Sequence, residues 1–133
     1  MAHEVLFDHE DPMLAVVSDV ALSFPGAAEK MSHGRPAFYT KKVFAYYGGS
    51  VRRGAGAWVQ YPQSVMVLLD ADERAAFRDD SRTFVPAYLG PSGWLGIQLT
   101  GTKDLKEIAE LIDSSFRNTA PRHLITQLDT KPA

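Results

Sequence analysis

The chain has no cysteine, which excludes a disulfide framework, a thiolate nucleophile and any zinc site built on thiolates. It has no uninterrupted apolar run, residues 65 to 69 included, that approaches membrane-spanning length. It has no Gly-x-Ser-x-Gly elbow, no phosphate loop with its lysine and no His-Glu-x-x-His, so no familiar catalytic signature is present. Most unusually, residues 30 to 69 hold not one Asp or Glu, while residues 1 to 29 hold not one Lys or Arg. The first segment carries Glu4, Asp8, Glu10, Asp11, Asp19 and Glu29; the second carries Lys30, Arg35, Lys41, Lys42, Arg52 and Arg53. A net charge of −2 hides this partition, and a local field depends on where charges sit, not on their sum.

At 133 residues the chain fits a single domain, with residues 1 to 10 expected to be flexible and 129 to 133 a frayed tail. Its 45% hydrophobic content is ordinary for a globular protein and too high for a disordered one. The N-terminus is acidic where a signal peptide would be basic, so the expectation is a soluble cytoplasmic protein with no membrane partner.

Local patterning predicts the elements. Asp11 and Pro12 open a helix over about 12 to 23, which Pro25 and Gly26 stop. Three short antiparallel strands follow, around Glu29 and Met31, Phe38 and Tyr39, and residues 43 to 47. Four glycines in residues 48 to 56 predict a long hairpin loop carrying Arg52 and Arg53. A strand from Trp58, interrupted near Pro62, continues over 64 to 69 as a central strand, apolar on both faces. Asp70 with Glu73 caps a short helix, and residues 94 to 99 alternate as a last strand. Asp104 with Glu107 caps an amphipathic helix whose inner face is Leu105, Ile108, Leu111, Ile112 and Phe116. Pro121 opens a final helix with Leu124, Ile125 and Leu128 inward. Helices backing a mainly antiparallel sheet make an α+β fold.

The stretches Leu22-Ser-Phe-Pro-Gly-Ala-Ala-Glu, Gly34-Arg-Pro-Ala-Phe, Lys42-Val-Phe-Ala-Tyr, Phe84-Val-Pro-Ala-Tyr-Leu-Gly, Gly93-Trp-Leu-Gly-Ile-Gln-Leu and Glu110-Leu-Ile-Asp-Ser-Ser-Phe, in that order, resemble the MmcQ/YjbR-like proteins over about residues 11 to 128. The resemblance implies a compact α+β domain of secretion-chaperone-like architecture, for which a double-wing mode of DNA binding has been proposed. No catalytic residue is carried over from it, and no cofactor is expected. His33 departs from it, standing where an aromatic residue, usually Trp, is expected before Gly-x-Pro.

The expected function is therefore non-enzymatic DNA binding, with Lys41, Lys42, Arg52 and Arg53 first, and Lys30 and Arg35 second, neutralising phosphates. Tyr46 and Tyr47 are the aromatics placed to stack on bases, and Phe38, Phe44 and Trp58 are expected in the interior. The alternative is a protein-interaction or small-ligand module in which the same basic face meets an acidic partner, including the acidic N-terminus of a second copy. One convex basic face would favour nucleic acid; a concave pocket with aromatics would favour a small ligand. Strand alternation can also send these cations to opposite faces, where they make no patch. His3, Asp8 and His9 lack the fixed geometry of a metal site, and no metal is expected.

Overall fold

A computed structural model describes residues 8–52, 54, 56–99 and 105–130. Arg53, the proposed cap Asp104, His3 and the terminal residues 131–133 lie outside the described residues.

The first helix, α1 (Pro12–Leu22), begins as its sequence predicts: the Asp11 carboxylate accepts the Met13 amide at 2.9 Å, and Pro12 fills the first turn, where its missing N–H costs nothing. Strands β1 (Ala28–Ser32), β2 (Arg35–Tyr39), β3 (Val43–Arg52) and β4 (Trp58–Leu68) then form a meander. Helix α2 (Ala71–Phe77) is capped by Asp70, which accepts the Glu73 amide. The short β5 (Thr83–Phe84) and β6 (Trp94–Gln98) complete the sheet, and α3 (Leu105–Thr119) and α4 (Arg122–Thr130) close the described chain. The six strands run antiparallel in the order β1-β2-β3-β4-β6-β5. This is the α+β fold expected.

Alternation along β4 sends Val65 and Val67 to the helical side, where Leu69 just beyond the strand joins them, and Met66 and Leu68 to the other, so both faces need cover. On the helical side Phe44, Ile97, Ile112 and Phe116 are fully buried, with the Phe44 and Phe116 rings edge to face at 5.3 Å. Each such side chain contributes about 1.5–3 kcal/mol. Ser115 on α3 joins helix to sheet, donating to the Phe44 carbonyl at 2.5 Å and accepting the Leu68 amide at 2.8 Å. Leu105, expected on this inner face, is instead 55% exposed at the start of α3.

The opposite face carries a second, smaller cluster of Met66, Phe84 and Trp94. The Phe84 ring lies across two glycines: a Cβ at Gly96 would overlap it, and one at Gly49 would come within 2.8 Å. Tyr61 stacks on that ring at 4.2 Å.

Two expectations are corrected here. Residues 48 to 52 are not loop but the far half of β3, paired with Trp58–Tyr61. Pro62 does not interrupt β4, because β6 pairs only with Ser64–Leu68; at Pro62 the strand has a neighbour on one side alone, and a missing N–H is tolerated there. The irregularity falls opposite, where the register shifts between Tyr47 and Gly49 around Gly48, at φ +85°.

Candidate functional site

Past β5 the chain leaves the sheet and crosses its second face as a strap, tied down where the Ala87 amide donates to the Ser50 carbonyl at 3.0 Å. Between strap and sheet lies a cavity of about 400 Å³. Tyr46, Gly49 and Met66 form its floor, Arg35, Ser50 and Trp58 its wall, Ser32 and His33 its rim at the β1–β2 turn, and residues 86–89 the strap itself. Its size lies within the range of small-molecule sites, and its lining is mostly aromatic and apolar.

Two residues with left-handed backbone meet at this cavity. His33 (φ +51°) and Gly34 (φ +82°) are the two central residues of the β1–β2 hairpin, where a type I′ turn demands positive φ at both. Tyr88 has no such excuse. At φ +63° it sits in a tight turn in which the Leu89 amide donates to the Ala87 carbonyl at 2.7 Å, a rare and strained γ-turn. Strain of this kind persists only where the surroundings over-determine it, and it concentrates at functional sites. Tyr88 is 76% exposed, and its ring centroid lies 6.0 Å from that of Trp58, itself 43% exposed.

Arg35 opens β2 and is only 6% exposed. Its Nη2 donates a short hydrogen bond to Gln60 Oε1, and its Nη1, fully shielded from solvent, has no hydrogen-bond partner. No carboxylate pairs with it among the described residues, and burial pulls the guanidinium below its ordinary pKa. Gly48 makes room for it: a Cβ there would fall 2.5 Å from Nη1.

The cations expected to form one face are dispersed. Lys41 and Lys42 are exposed in the β2–β3 turn, and Arg52 is exposed at the other end of β3, about 30 Å away by the rise of a ten-residue strand. Lys30 lies over the Tyr39 ring, 4.8 Å from its centroid, near the Lys41–Lys42 turn. Arg52 packs toward Trp58 at 6.0 Å. Arg35 is buried and not available to a phosphate backbone.

The stacking pair divides likewise. Tyr46 is half-buried, edge-on to Trp94 at 5.3 Å, and its hydroxyl is raised by burial. Tyr47 is fully buried on the helical side, where its hydroxyl donates to Asp11 Oδ2; a stacking role is therefore corrected to a structural one. Burial, with the Asp11 carboxylate beside it, holds the Tyr47 hydroxyl well above its usual pKa. Trp58, expected inside, instead stands at the pocket mouth. Alternation alone does not reveal this, because the strap that makes the pocket arrives from residues about thirty positions later.

Among the described residues no helix is long and apolar enough to cross a membrane, and no group of three or more His, Asp or Glu is arranged to hold a metal ion. No curated protein matches the chain. A family model described as YjbR matches residues 22–118, which takes in the six strands, the strap and most of α3. With that span covering well over half of its length, the chain belongs to the YjbR family.

Proposed function

We propose that this YjbR-family chain is a non-catalytic binding protein whose pocket between strap and sheet holds a small organic molecule. The observation that carries the reading is the pocket itself: about 400 Å³, aromatic walls, and a strap across it that contains the strained Tyr88. The position where the family resemblance expects a Trp, occupied by His33, lies on its rim.

The test is a fluorescence titration with the neutral aromatic probe N-phenyl-1-naphthylamine. Saturable one-site binding is expected, with loss in Ala87→Phe, which fills the pocket from the strap while thermal unfolding reports that the fold is kept. Binding that ignores Ala87→Phe would place the probe elsewhere and sink the reading.

A second reading, DNA binding through phosphates, is favoured by Lys30, Lys41 and Lys42, exposed near one end of β2 and without an ion pair among the described residues. Anisotropy of labelled duplex and single-stranded DNA tests it. The reading requires affinity that falls with salt at a log-log slope of about −0.9 per phosphate contacted on duplex DNA, and a shallower slope in Lys41→Ala/Lys42→Ala. An absence of binding at low salt would discard it.

A further inference from the structure

A buried guanidinium without a counter-charge is an expensive arrangement, since the interior neither solvates the charge nor pairs it. Arg35 is in that position. It is 94% buried by its 6% exposure, it forms part of the pocket wall, and among the described residues its only side-chain partner is the neutral Gln60. Nη1 is left without an acceptor. The backbone is adapted to keep it there: Gly48, in a left-handed conformation that favours glycine, leaves the space the guanidinium occupies. Arginine at this site does not fill a hydrophobic gap, because an apolar side chain of similar length would do so without the desolvation cost.

Resting on the pocket reading above, we infer that the ligand is a carboxylate with a flat apolar body, its anionic group supplying the counter-charge that Arg35 lacks and its body lying among Tyr46, Met66 and Trp58. Two features select a monoanion. Among the described residues Arg35 is the only Lys or Arg in the lining, so a phosphomonoester dianion would leave a charge uncompensated there. A carboxylate accepting from the guanidinium makes a charge-assisted hydrogen bond, roughly twice as strong as a neutral one. The rest of the lining supplies apolar contact and the hydroxyls of Ser32 and Ser50.

The experiment is displacement of bound N-phenyl-1-naphthylamine by two near-isosteric competitors, 2-naphthoate and the neutral 2-naphthamide, at pH 7.5. The inference predicts that the carboxylate competes about tenfold or more strongly than the amide, as one charge-assisted pair would provide. In Arg35→Met the reporter still binds, which shows an intact pocket, and the preference disappears; in Arg35→Lys it is reduced. Equal competition in the parent protein, or a preference that survives Arg35→Met, overturns the carboxylate assignment and leaves the pocket reading intact. Stronger displacement by 2-naphthyl phosphate than by 2-naphthoate overturns the monoanion. Failure of the reporter itself to bind removes both the pocket reading and this inference.

Discussion

The Arg35 guanidinium occupies the space that a side chain at Gly48 would need, with Nη1 2.5 Å from the position of a Cβ there. Gly48→Ala therefore carries two costs, a left-handed backbone worth about 1–2 kcal/mol and displacement of the guanidinium. Gly54 is the control: its φ is +68°, and a Cβ there meets nothing within 4 Å. Thermal unfolding should show a distinctly larger loss for Gly48→Ala than for Gly54→Ala. Equal losses would mean that the contact with Arg35 is without consequence.

Removing the charge should not harm the unliganded fold. Replacing a buried ionic group by an apolar side chain of similar volume is often neutral or stabilising, and Gln60, being exposed, can turn to water. Arg35→Met is expected to leave Tm unchanged or raise it. A fall of more than about 4 °C, on the order of 1 kcal/mol in a domain of this size, would show that Arg35 serves the fold and not a ligand.

Tyr47→Phe should act in the opposite way. It takes a donor from the Asp11 carboxylate, which then keeps the Met13 amide and the Gln63 side chain. A loss of about 1–3 kcal/mol in urea unfolding is expected, with pocket affinity unchanged. A change in ligand affinity without a change in stability would contradict the structural role assigned to Tyr47.

Acid sensitivity should centre on Asp80. Hydrogen bonds from Arg82 lower its pKa from 3.8 to about 2, and Arg82 also reaches Glu107 on α3, tying the approach to β5 to that helix. Because the folded pKa is depressed, the stabilisation is fully present above about pH 4 and is lost as the pH falls through about 2. Asp80→Asn should cost roughly 1 kcal/mol at pH 7, and the gap to the parent should close between pH 4 and pH 2. A gap independent of pH would rule out the carboxylate as its source.

Much of the fold was legible because its signals are local. Asp11-Pro12, Asp70 with Glu73, and the apolar stripe Ile108, Leu111, Ile112 and Phe116 carry their own caps and periodicity, and each appears where its pattern predicts. The far half of β3 was not legible, because four glycines read as loop; Gly48 and Gly49 are there for the guanidinium of Arg35 and the ring of Phe84. The site was hidden for the same reason. Arg35 reads as one cation among six, and only the pairing that brings Gln60 beside it, 25 residues away, distinguishes a buried arginine from a solvated one. Charge segregation along the chain did not become charge clustering in space, since one ten-residue strand separates Lys42 from Arg52. Trp58 becomes a mouth residue only when the strap, with Tyr88, arrives beside it.

The most direct test is a nitrogen–proton NMR spectrum of the parent protein titrated with 2-naphthoate, following the Arg35 side-chain N–H signals, the two Trp indole N–H signals and the backbone amides. Arg35 and Trp58 are expected to move together and saturate at one affinity, with Trp94, edge-on to the floor residue Tyr46, moving less and the α3–α4 amides still. Shifts confined to Lys30, Lys41 and Lys42, or no saturable shift of Arg35 and Trp58, would contradict it.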